Sequence, residues 1–239
     1  ELLYFPIIPV KVSINEYIDI SKLYSTPKSK DFVNGVIDKI KNACDILKVE
    51  KLNACFYHSY KDYCNGNLRP YFSKLMDLKL IKQVGVSVYT NEELEVVIND
   101  PLINIIQLPF NLFDNFNQRG ELILKAKDKG KIIQVRSVFL QGLFFLDPKL
   151  LKGNLVELVN DLNFLNEIVS DFDISMSDLC LQYVLNFKEI DQIIIGVDSI
   201  EQLISNINAF KGKINSEIFD RVNSIYIRNN SLLYPYNWK

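Results

Sequence analysis

The sequence predicts an α/β protein built on a parallel sheet, and three observations predict it. Short apolar, β-branched or aromatic runs alternate with stretches whose apolar residues recur three or four positions apart, the signature of strands alternating with amphipathic helices. The strand runs are nearly continuous in apolar residues, as in IIQLP (105–109) and QIIIGV (192–197), which suits a sheet covered on both faces. No repeat, low-complexity tract or linker rich in Gly, Pro or Ser interrupts the 239 residues, so 1–239 reads as a single domain able to bury a sizeable core.

Six strand candidates follow in order: Phe5 to Val12, Leu52 to His58, Gln83 to Tyr89, Asn104 to Pro109, Lys131 to Phe139 and Gln192 to Val197. Helical patterns cover 31–49, 68–80, 92–100 and 120–130, and each such crossover returns the chain to the same end of the sheet, which makes neighbouring strands parallel. Residues 140–190 form a longer insertion that reads as two helices or one broken helix. These features leave a doubly wound sheet or a barrel. A closed (β/α)8 barrel needs eight strands. Six are visible and the sequence opens at Glu1 in the approach to a strand, so the expectation is a barrel whose first two β/α units are missing from this chain.

Composition narrows the function. Acidic and basic residues nearly cancel, 29 against 27, and no stretch gathers a basic patch for nucleic acid. Cys44, Cys55, Cys64 and Cys180 fit neither a zinc pattern nor a disulfide framework and read as reduced thiols, with no metal site. No run reaches the length of a membrane helix and the first residues lack the marks of a signal peptide, so the expected location is the cytoplasm.

In a barrel, the groups that meet a ligand sit at the C-terminal ends of strands. Those ends carry Lys11, His58, Ser87, Gln107, Arg136 with Ser137, and Gly196. His58, the sole histidine, is either a proton donor to a carbonyl or a satisfied rim residue. Lys11 is either a partly desolvated partner of an acid or a solvated strand-end charge. Gln107 either bonds to neighbouring strands or reads an amide of a ligand. The segment SVFLQG (137–142) offers a hydroxyl and backbone amides to a phosphate. Gly196 precedes a helix that either caps itself through Asp198 or Ser199 or receives a phosphate at its N-terminus.

Taken in chain order, KQVGVSVYTNEEL (82–94), INIIQLPFNLFDN (103–115), KIIQVRSVFLQGLFF (131–145) and IIIGVDSIEQLISNINAF (193–210) resemble the fifth- to eighth-strand signatures of the aldo-keto reductases. The likeness is closest to the branch of that family tied to bacterial polysaccharide biosynthesis, and it spans residues 5–210. FYHSY (56–60) is similar to the segment holding the family's catalytic His, and IPVKVS (8–13) to the one holding its catalytic Lys, which implies catalytic roles for His58 and Lys11. The family's Asp and Tyr lie on its second β/α unit, and residues 1–10 match neither. The resemblance further implies an eight-stranded TIM barrel and an NADP or NAD cofactor. Ser87 and Gln107 would hold the carboxamide, Ser137 through Leu140 to Gly142 the pyrophosphate, and Gly196, Gln202 and Asn206 the adenosine end. Val88 stands where many members have Asn, and Arg136 replaces the aromatic residue that stacks on nicotinamide. Asp198 and Glu201 stand in the loop where members preferring NADPH place Lys or Arg, which implies a weakened preference for the 2′-phosphate.

Two functions follow. One is a nicotinamide-dependent oxidoreductase that reduces a small-molecule carbonyl, for example on a nucleotide-linked sugar. The other is a catalytically incomplete scaffold or nucleotide-binding protein that acts through association. In an incomplete barrel the unpaired edges call for a second copy or another partner to cover them.

Overall fold

A computed structural model describes residues 30–209 and 215–239. Among them the strands are β1 (Leu52–Tyr57), β2 (Ile81–Ser87), β3 (Ile105–Pro109), β4 (Ile132–Arg136) and β5 (Gln192–Ile193), in the sheet order β1-β2-β3-β4-β5. The pairs β1/β2, β2/β3 and β4/β5 are parallel. The helices are α1 (Lys30–Leu47), α2 (Tyr60–Cys64), α3 (Arg69–Asp77), α4 (Asn91–Ile98), α5 (Phe116–Asp128), α6 (Val159–Asp171), α7 (Met176–Leu185), α8 (Ile200–Ala209) and α9 (Ser216–Asn223). The expected parallel α/β architecture is therefore present. The strand expected at 5–12 lies outside the described residues.

Two local expectations change and one open alternative is decided. β4 stops at Arg136 rather than Phe139, because Ser137 takes a left-handed backbone (φ 60°) and leaves the ladder. β5 is two residues long rather than six; beyond it the Ile194 N–H still reaches the Val135 carbonyl, at 2.8 Å. The insertion holds two helices, α6 and α7, preceded by short 3-10 turns between Leu140 and Leu158.

Local chemistry sets the helix starts. Thr90 and Glu93 form a capping box before α4, with the Glu93 N–H donating to the Thr90 hydroxyl and the Glu93 carboxylate accepting from the Thr90 N–H. Ser59 and Ser175 cap α2 and α7 through the N–H groups of Asp62 and Asp178. Pro70 sits in the first turn of α3, where its missing N–H has no helical partner to lose.

The described residues divide into two compact units. The first holds 30–107 and 128–132, with β1, β2 and most of β3 over a core that includes Tyr57, Val84, Val86, Leu94 and Ile106, each at most 1% exposed. Phe56 pairs with Gly85 across β1/β2 and its ring lies over the Gly85 Cα, so a side chain there would require that ring to move. The second holds 108–127, 133–209 and 215–239, and its core includes Phe110, Phe113, Leu143, Leu165, Leu179 and Tyr183. Fully burying each such side chain stabilises by about 1.5–3 kcal/mol. The C-terminal segment packs on this unit: Leu232 and Leu233 are buried, and the Trp238 indole N–H donates to the Leu232 carbonyl at 2.9 Å.

Candidate functional site

In the second unit, the turn leaving β4 carries a run of left-handed residues: Ser137 (φ 60°), Leu140 (43°), Gln141 (55°) and Gly142 (82°). For the three that are not glycine this backbone costs of order 1–2 kcal/mol each and persists only where the surroundings hold it. The Leu140 N–H donates to the Ser137 carbonyl at 3.0 Å and the Gly142 N–H to the Phe139 carbonyl at 2.8 Å. From the exit of β3, the Phe110 N–H donates to the Arg136 carbonyl at 3.1 Å, and the Asn111 side-chain amide to the Ser137 carbonyl at 3.1 Å. Leu140 and Leu143 are fully buried, and Phe113 meets Phe144 edge-on at 5.0 Å.

The chain leaving β5 passes Gly196 and enters α8 through a cap. The Gln202 N–H donates to the Ser199 hydroxyl at 3.2 Å, and the Gln202 side-chain oxygen accepts from the Asp198 N–H at 2.8 Å. Self-capping is thus the geometry that Gln202 adopts here. Glu201 is held below the usual carboxylate range by its own N–H and the Ser199 hydroxyl, so this rim is negative at neutral pH.

Between these two segments lies a cavity of about 670 Å³, within the range of small-molecule sites. Arg136, Ser137, Leu140, Gly142, Gly196, Gln202 and Asn206 all line it. Seven of the nine residues expected at a cofactor therefore meet in one place. Val138, Phe139, Ile194 and Ile195 supply apolar wall, Gln141 of the 137–142 segment a polar side chain, and Ser177 and Ser205 polar groups that sequence reasoning did not single out. Among the lining residues Arg136 carries the positive charge and Asp198 the negative. A Cβ built on Gly142 or Gly196 meets no atom within 4 Å, so both glycines open onto free space. The cavity thus joins apolar wall, the hydroxyls of Ser137, Ser177 and Ser205, a guanidinium and a turn of left-handed backbone, a donor set that fits the pyrophosphate and adenosine of a dinucleotide.

The other two expected cofactor residues, Ser87 and Gln107, belong to the first unit. They are register partners on β2 and β3, buried at 5% and 1% exposure, and the Ser87 hydroxyl donates to the Gln107 side-chain oxygen at 3.2 Å. Gln107 is therefore bonded to its neighbouring strand. His58 follows the last residue of β1 and is exposed, directly before the Ser59 cap. Lys11 lies outside the described residues. No group of His, Cys, Asp and Glu among the described residues is arranged to hold a metal ion, and no described helix is long and apolar enough to cross a membrane.

The family model for the aldo/keto reductases matches residues 7–227. This chain belongs to the aldo/keto reductase family. An aldo-keto reductase of Bacillus halodurans superposes with a TM-score of 0.65 at 19% identity, covering 87% of this chain and 72% of that one. The glycerol dehydrogenase of Gluconobacter oxydans gives a TM-score of 0.58 at 16% identity, covering 81% of this chain and 64% of that one. At these identities the likeness is one of fold, and the fold is that of the aldo-keto reductase barrels. A second likeness is local. The chain is 62% identical over 40 residues to the transcription antitermination protein NusB of Salinibacter ruber, 17% of this chain and 25% of that protein. NusB of Thermodesulfovibrio yellowstonii is 50% identical over 53 residues, 21% of this chain and 35% of that protein. The chain spans only between a quarter and about a third of the length of these curated relatives.

Proposed function

We propose that this aldo/keto reductase is a nicotinamide-dependent oxidoreductase acting on a small-molecule carbonyl, with NADH or NADPH seated in the cavity of the second unit. The observation that carries the reading is the gathering of Arg136, Ser137, Leu140, Gly142, Gly196, Gln202 and Asn206 around one cavity. The turn over 137–142 would receive the pyrophosphate, and the segment from Gly196 to Asn206 the adenosine. The Arg136 guanidinium would stack on a ring or pair with an anionic oxygen where relatives carry an aromatic residue. When bound, the nicotinamide supplies a hydride. By the resemblance of their motifs, Ser87 and Gln107 are proposed for the carboxamide, and His58 and Lys11 for polarising the carbonyl and supporting proton transfer. A nucleotide-linked sugar of polysaccharide biosynthesis is the proposed substrate, resting on the resemblance of the strand-end motifs.

The test is a titration of the full chain with NADH and NADPH, followed by fluorescence, and then turnover of simple aldehydes and of nucleotide sugars. Micromolar binding with carbonyl reduction is expected. Binding without turnover of any carbonyl favours a nucleotide-binding scaffold, and absence of binding overturns both.

A further inference from the structure

We infer that Asn111 is a positioning residue for the turn over 137–142, acting through the Ser137 carbonyl. The nicotinamide reading enters only in naming the ligand that this turn receives.

The exit of β3 grips the exit of β4 at two consecutive carbonyls. The first grip, Phe110 N–H to Arg136 O, is backbone to backbone and indifferent to side chain. The second, Asn111 Nδ2 to Ser137 O at 3.1 Å, depends on the side chain alone. Asn111 is fully buried, and its Oδ1 accepts from the N–H groups of both Phe113 and Asp114 at 3.0 Å, while its own N–H donates to the Asp114 carbonyl at 3.1 Å. That closed turn fixes the amide plane and aims Nδ2 at residue 137.

Only a side chain that accepts at one end and donates at the other does both at this length. Asp would keep the turn and lose the donor, and Ser would keep an acceptor too short to reach Ser137. The target matters because Ser137 is the first residue of the turn and left-handed at φ 60° without being glycine. Its carbonyl takes two donors, Asn111 Nδ2 and the Leu140 N–H, and rotation of that peptide toward an ordinary φ would break both. Ser137 lines the cavity, as do Leu140, Gln141 and Gly142 beyond it, so the shape of the cavity wall follows from where the Ser137 peptide is held.

The experiment compares the full wild-type chain with Asn111→Asp, and with Asn111→Ser as a second variant should the buried carboxyl prevent folding. Hydrogen exchange reads the turn directly and needs no ligand. Exchange over 137–142 is expected to rise about tenfold or more while α8 keeps its protection. In parallel, NADH affinity is expected to fall about tenfold while that of adenosine monophosphate, which does not need the turn, is retained. Unchanged exchange over 137–142 in a folded variant overturns the inference. So does an equal rise across the whole second unit, or failure of both variants to fold, since Asn111 would then hold the fold rather than one turn. A wild-type chain that binds no NADH, with the exchange response present, overturns the nicotinamide reading and upholds the positioning role.

Discussion

Asp114 and Arg119 meet inside the second unit in a bidentate ion pair, Nε to Oδ1 at 2.6 Å and Nη2 to Oδ2 at 2.8 Å, with side chains 1% and 4% exposed respectively. Burial raises the Asp114 carboxyl above its ordinary value against the opposing pull of Arg119 and Arg136. Arg119 also bonds to the Tyr234 hydroxyl, which ties the C-terminal segment to the pair. Removing one partner leaves the other charge buried without its ion pair. Arg119→Met is therefore expected to cost about 3–5 kcal/mol in urea unfolding, and Asp114→Leu combined with Arg119→Met to recover much of that loss. A single variant within about 0.5 kcal/mol of wild type would show that the pair contributes nothing.

Asp100 in the first unit controls an acid limb. Burial pushes its carboxyl up, but hydrogen bonds from Arg69, the Leu102 N–H and the Tyr63 hydroxyl outweigh that and hold it below the usual aspartate range. Its pKa is thus lower in the folded chain than in the unfolded one. The stability it contributes is present above the unfolded value, about 3.9, and is lost as the pH falls through the lower folded value. Asp100→Asn should lower the melting temperature at pH 7 and flatten its decline below about pH 4. An unchanged acid limb in the variant would assign that limb to other carboxylates.

Gly142 separates strain from site. Its φ of 82° is costly for any residue with a Cβ, yet that Cβ would meet no atom within 4 Å. Gly142→Ala should fold with a penalty of about 1 kcal/mol from backbone strain, and should weaken NADH binding because the methyl enters the cavity. Undiminished binding would place the pyrophosphate elsewhere.

Asp198 lines the same cavity and Glu201 stands on the first turn of α8 beside it. Asp198→Arg should shift the ratio of NADPH to NADH affinity toward NADPH by roughly tenfold, the effect of replacing a repulsive charge with a pairing one. A ratio that does not move would put the 2′-position of the ribose away from this rim.

The cysteines give a direct check of burial. Cys44, Cys55 and Cys180 are buried and Cys64 is exposed. Burial pushes the Cys55 thiol up to about 11 and the Cys180 thiol further. A thiol reagent at pH 8 should label Cys64 in the folded chain, and the buried three only on unfolding.

How much was legible in the sequence varies with the range of the interaction. The runs at 52–58, 83–89 and 104–109 became strands within two residues of expectation at either end, because apolar periodicity and flanking turn residues are properties of a short window. β4 overran by three residues because SVF reads as strand by composition. The bond from Asn111, 26 residues earlier, is the long-range contact that helps hold Ser137 in the conformation that ends it. The polar stretch of FNLFDN was a visible signal of that role, with Asn111, Asp114 and Asn115 all buried, but periodicity assigns such residues to a surface loop.

By itself, then, the sequence determined the alternation of strands and helices, the parallel sheet and the family, and it named seven of the residues that line one cavity, since these follow from local pattern and motif order. The tertiary structure alone decided where β4 ends, that Gln107 bonds to Ser87 and Gln202 caps its own helix, and that Asn111 reaches the Ser137 carbonyl. The physical reason is that a buried hydrogen-bonding group must find a partner, and which partner is within 3 Å is settled by packing between segments far apart in the chain.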